Sequence, residues 1–183
     1  MDFPKLLDCL EPIHNTVRVS NTFTTKKNVS QLPLPVVPAG RMKLNTFLYI
    51  MAAGDYSSLT GAALTLGFWF GTRAEAITGD IALSSVITTG TTPAAWPWEM
   101  QWMGWLNTDP GTTATLIGQG NLIYGSSLTA YNAAVPIPIT AALRTTGAFD
   151  TTIDRAIGVS ATWGASSASN QITVNYTRAV CFN

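Results

Sequence analysis

From about residue 17, apolar residues in the regular stretches recur with a period of two and not 3.6. That pattern restricts the chain to β-structure, because a pleated strand presents alternate side chains to one side. Lys43 to Met51 puts Leu44, Thr46, Leu48 and Ile50 on one face and Asn45, Phe47, Tyr49 and Met51 on the other. Both faces are largely apolar, so this strand is expected to be covered on both sides. Ala62 to Phe70 sets Leu64, Leu66, Phe68 and Phe70 against Thr65, Gly67 and Trp69. Trp98 to Leu106 sets Trp98, Met100, Trp102 and Leu106 against Glu99, Gln101, Met103 and Trp105. Further strands are read at 81–87, 115–124, 154–163 and 172–182, and Val17, Val19 and Phe23 mark an earlier one.

About eight strands result, with no helical pattern between them, which argues against βαβ units. No fixed-period repeat supports a propeller or β-helix. The expected fold is all-β: an antiparallel two-sheet sandwich, read as a jelly roll. Strand spacing alone does not separate that order from an immunoglobulin-like one, but the cysteine pair around a core tryptophan is missing. Gly118 and Gly120 share a face of their strand, which predicts close approach of an aromatic or of backbone. Gly54 to Ser58 reads as a loop, and Asn107-Thr108-Asp109-Pro110-Gly111 as a turn.

The 183 residues divide into an N-terminal arm and lead-in, 1–42, and a sandwich, 43–183. Residues 1–16 read as irregular or briefly helical, with Leu6, Leu7 and Leu10 on one face and Pro4 and Pro12 as bounds. So short a piece needs something to lie against. Leu32 to Gly40 is proline-rich and suited to a sheet edge. Val135 to Ile139 has the same character. Residues 1–43 hold six basic against three acidic side chains, and the remainder four against seven. The lead-in is therefore a candidate docking arm.

Charge and motif content argue against most chemistry. Only 11% of residues are charged and the net charge is zero, which excludes a polybasic nucleic-acid binder. Lys26-Lys27 is the sole basic doublet. The opening residues lack the basic-then-apolar pattern of a secretory signal, and no apolar run is long enough for a membrane helix. His14 is the only histidine and has no nucleophile motif to serve, so no catalytic residue is assigned. Asp150 and Asp154, four apart, do not form an evident acid/base pair. Cys9 and Cys181 lie near opposite termini without metal spacing and read as free thiols. No metal and no cofactor are expected.

The excess of tryptophan is the strongest remaining signal. Trp98, Trp102 and Trp163 read as core. Trp69 and Trp105 fall on the opposite faces of their strands, where an arm, a neighbouring subunit or a sugar ring would cover them. Phe3, Leu6, Leu7, Leu10, Lys26, Lys27, Trp69 and Trp105 are therefore the candidate oligomer or shell contacts. For a carbohydrate, Asp55-Tyr56-Ser57 offers the one loop of suitable shape, an aromatic beside polar side chains.

Particular stretches carry a resemblance: Thr115 to Tyr124 followed by Gly125-Ser126-Ser127, Ile157 to Trp163 with the small-residue run to Asn170, Gln171 to Val174, Gly54 to Ser57 before Thr65-Leu66, and Trp98 to Trp102. Together, over residues 43–178, they resemble β-rich structural proteins of tailed bacteriophages. The resemblance implies a jelly-roll or related sandwich without cofactor or enzymatic activity. It implies a capsid decoration or cement protein on the virion surface, assembled in the host cytoplasm. The expected partner is the major capsid protein shell and the expected oligomer a homotrimer, with neither nucleic acid nor membrane bound. A receptor- or carbohydrate-binding fibre or tail module and a single jelly-roll capsid subunit are the alternatives.

Overall fold

The computed structural model describes residues 6–14, 23–30, 34–58, 62–71, 83–88, 95–127, 130–131, 135–137, 146 and 148–182. They form twelve strands and no helix. These are β1 (Leu6–His14), β2 (Lys27–Asn28), β3 (Val36–Val37), β4 (Phe47–Ser57), β5 (Ala63–Gly71) and β6 (Leu83–Thr88). Then follow β7 (Trp96–Leu106), β8 (Leu116–Ser127), β9 (Ala130–Tyr131), β10 (Val135–Ile137), β11 (Arg155–Trp163) and β12 (Gln171–Phe182).

Two antiparallel sheets result. The larger has the order β1-β12-β4-β7-β8-β10, with β9 on β8; the smaller has β2-β11-β5-β6, with β3 on β11. The pairing is nested: β5 with β6, β4 with β7, β2 with β11, β1 with β12. The strands β8, β9 and β10 extend the larger sheet beyond β7.

The alternation of the sequence becomes the two faces of each sheet. In β4 every second residue from Leu48 to Tyr56 is buried and those between are half-buried. Leu48, Ile50, Leu64, Leu66, Phe68, Met100, Trp102 and Val159 are wholly excluded from solvent between the sheets. Each such side chain contributes roughly 1.5–3 kcal/mol through burial.

Two expectations fail here. Residues 6–14 form an edge strand rather than a helical turn: Leu6 pairs with Phe182, Leu7 with Cys181 and Leu10 with Ala179. A long-range partner overrides the local proline boundaries, and register shifts interrupt the ladder between Leu7 and Leu10 and between Leu10 and Ile13. Gly54 to Ser57 is the end of β4 rather than a loop. Gly54 is useful there because a Cβ would press on the Thr173 carbonyl and lie 2.9 Å from Trp98 Cζ2. The strand read at Val17 and Val19 lies outside the described residues, although Phe23 is buried.

The glycines of β8 behave as anticipated. Gly104 pairs with Gly118 and Trp102 with Gly120 across the β7–β8 ladder. The Trp102 indole lies over the strip these glycines leave bare, so a Cβ on Gly118 would fall 2.5 Å from Trp102 Cζ2. The indole N–H groups of Trp98, Trp102 and Trp163 meet no acceptor among the described residues. Their hold on the core is therefore shape and apolar area.

Tyr56 ties the end of β4 to β8. Its hydroxyl donates to the Gly125 carbonyl at 2.6 Å, and its ring meets Trp96 edge-on with centroids 6.2 Å apart. Burial, reinforced by Tyr124, pushes the phenol up to about 12 from its usual 10.0. The fold thus favours the neutral phenol. Its contribution is complete below pH 10 and is lost as pH rises toward 12. Tyr56→Phe should cost about 1–2 kcal/mol at neutral pH and flatten the loss of stability above pH 10, as read by urea titrations between pH 7 and 11.

Candidate functional site

The outer faces of the two sheets differ in cover. On the smaller sheet, the lead-in folds back over its own domain. Val29 N donates to the Val159 carbonyl at 2.9 Å and Ile157 N to the Pro35 carbonyl at 2.8 Å, running this segment along β11. Beneath it Trp69 is wholly buried with Leu34, Val36 and Ala156. Its indole N–H donates to Asn28 Oδ1 at 3.4 Å, and the ring occupies the space a side chain on Gly158 would need. Trp69 is therefore covered within the chain and is not presented to a partner. The sequence indicated its face but not its cover, which requires knowing that Asn28, Leu34 and Val36 return to this sheet.

On the larger sheet no described segment lies over the outer face, contrary to the expectation that β4 is covered on both sides. The register aligns Phe182, Phe47, Trp105 and Ile117 in one row across β12, β4, β7 and β8. The Phe47 and Phe182 rings are 6.0 Å apart. Trp105 is 45% exposed and Met103, in the next row beside Tyr49, 43%. Exposure of that size leaves roughly 100 Å² of the indole in water. Leu44, 49% exposed, sits in the turn before β4, where Asn45 N donates to the Leu106 carbonyl at 2.9 Å. Asn45 takes the left-handed backbone (φ 66) that this turn demands.

Polarity rises along the strands from that row. Tyr49 donates to Gln101 Oε1 at 3.1 Å, Met51 lies between Arg178 and Gln101, and Ala53 lies between Tyr176 and Glu99. Burial, with Glu99 and Tyr49 adding, raises the Tyr176 phenol. The face thus has an aromatic end and a polar end, the composition of an interface centre with its rim. Sequence analysis singled out Trp105 but missed Phe47, Phe182 and Ile117 as its companions. A strict period of two puts Phe182 on the face of Ile172 and Val174, and the register shift between Val174 and Tyr176 turns it into the outer row instead.

The other candidates are dispersed. Phe3 lies outside the described residues, while Leu6, Leu7 and Leu10 take part in the β1–β12 ladder. Lys26 and Lys27 are exposed beside β11, with Lys27 Nζ 5.6 Å from the Phe23 ring centre. Tyr56 is buried, so the loop expected to offer an aromatic to a sugar does not do so.

The two aspartates read as a poor acid/base pair fix local structure. Asp150 Oδ1 accepts from Thr152 Oγ1 at 2.6 Å and from Thr152 N at 2.8 Å. The Thr152 hydroxyl, followed by its amide, holds that carboxyl below the ordinary aspartate range. Asp154 Oδ1 accepts from Ala39 N at 2.9 Å. Among the described residues no three histidine, cysteine or acidic side chains gather as a metal site. No protein-family model, curated protein or solved structure matches the chain.

Proposed function

We propose that this chain is a structural protein of a virus particle, which decorates or cements the shell of a tailed phage and performs no chemistry. The observation that carries the reading is the outward apolar row Phe182, Phe47, Trp105 and Ile117, in which Trp105 is 45% exposed and the others are half-buried. Such a row suits burial against a neighbouring subunit. Nested pairing of β1 with β12, β2 with β11, β4 with β7 and β5 with β6 supports a jelly roll, an arrangement used by capsid and lectin modules. Fold alone does not assign function, so the face bears the weight.

Charge supports a position outside the shell. Six basic against three acidic side chains in residues 1–43 are too few to neutralise packaged nucleic acid. The partner in this reading is the major capsid protein shell, contacted by a homotrimer on the virion surface. A second reading, favoured by the nested pairing, makes the chain the jelly-roll shell subunit itself.

Light scattering coupled to size exclusion, followed by sedimentation with shells lacking the protein, separates these readings. Cement predicts three times the chain mass of 19.5 kDa and co-sedimentation with shells. Closed particles built from this chain alone would transfer the assignment to the shell subunit. A monomer that ignores shells would sink both.

A further inference from the structure

Where the aromatic end of the larger sheet's outer face passes into its polar end, the register places two methionines one row apart on neighbouring strands. Met103 of β7 lies between Tyr49 and Gln119, and Met51 of β4 between Arg178 and Gln101. Exposure sets Met103 apart. Met42 and Met100 are 2% and 0% exposed and Met51 is half-buried, whereas Met103 is 43% exposed. Trp105 stands two residues further along β7 on the same side, so Met103 borders the apolar row directly.

We propose that Met103 is a modification site at which a peroxide forms methionine sulfoxide, so that the oxidation state of one side chain sets how strongly this face associates. The inference rests on the reading that the face meets other subunits. The thioether sulfur attacks one peroxide oxygen, and the S–O bond forms as the O–O bond breaks. The proton on the transferred oxygen passes to the departing hydroxide, which leaves as water. Sulfur loses two electrons and the peroxide gains them.

Position gives the product its effect. A thioether is apolar and adaptable, which suits a contact surface. A sulfoxide is strongly polar and must be desolvated when the face is covered. At Met103 it carries the polar end of the face up against Trp105 and leaves a single apolar row. The fold is spared, because the side chain points away from the core while Met100 points between the sheets. Methionine sulfoxide reductases reverse the change.

The test treats the full chain briefly with dilute hydrogen peroxide. Peptide mapping should place the first oxygen on Met103, with Met42 and Met100 unmodified and the urea midpoint unchanged. Light scattering and co-sedimentation with shells should show association weakened about tenfold or more. Reductases acting on both sulfoxide epimers should restore it. Met103→Leu, compared with its own untreated sample, should lose the sensitivity to peroxide. Oxygen spread evenly over the methionines, Met103 sulfoxide with undiminished association, or association lost only together with the fold would each overturn the proposal. An untreated protein that is monomeric and ignores shells sinks the proposed function and the control of association with it. The preference of the oxygen for Met103 is read independently in that same monomer.

Discussion

Gly118→Val is expected to leave little cooperatively folded protein. Its first side-chain carbon would already stand 2.5 Å from Trp102 Cζ2 and press on the Met103 carbonyl of the paired strand. The two branches of valine add to that crowding. Trp102 has no space to retreat, since its indole also lies against Gly104 and is wholly buried. Moving the carbonyl instead would break the β7–β8 ladder, a central pairing of the larger sheet. Overpacking of this kind, with backbone displacement, costs about 4 kcal/mol or more, a large share of an ordinary domain's stability. Urea unfolding followed by near-ultraviolet circular dichroism reads it directly. Gly111→Ala is the control, because nothing lies within 4 Å of its Cβ position. Trp102→Leu combined with Gly118→Ala should cost less than the two separately, since the first vacates the space the second fills. A Gly118→Val protein with the parent's midpoint would refute this account of the core.

Trp105→Asp should have the opposite profile, with the fold kept and association lost. The side chain points away from the core and is 45% exposed, so its removal should cost less than about 2 kcal/mol of stability. Within an assembled interface it would sit between Phe47 and Ile117, at the centre of the apolar row. Loss of a central tryptophan weakens binding by about 2 kcal/mol or more, close to 30-fold, and a buried carboxylate raises that toward 100-fold. The solution mass should fall to that of a monomer and co-sedimentation with shells should disappear, with the urea midpoint nearly intact. An unchanged mass and unchanged sedimentation would remove this face from the proposed function.

The inner faces of the sandwich were legible because they depend on alternation alone. Leu64, Leu66, Phe68 and Phe70 needed only a period of two, and so did Trp98, Met100, Trp102 and Leu106. Gly118 and Gly120 could be read as room for an aromatic, though not as room for Trp102 on the adjacent strand. What the sequence hid depends on distant partners. Leu6 to His14 holds Pro12, Asp8 and Glu11, which discourage regular structure locally, yet β12 recruits it as a strand. The burial of Trp69 depends on Leu34 and Val36, distant in sequence, folding back over it. The aromatic row depends on the register of four strands, which no local pattern specifies.

The rim of the smaller sheet has a consequence for how copies of this molecule meet. Along β11 the neighbouring chain is broken into β2 and β3, each two residues long, with Pro35 and Pro38 flanking β3. A proline has no N–H to offer, and two residues make no template for an incoming strand. Strand addition by another copy is disfavoured on that side. In the proposed assembly, contact between copies would fall to the aromatic face, and the molecules would tile rather than thread.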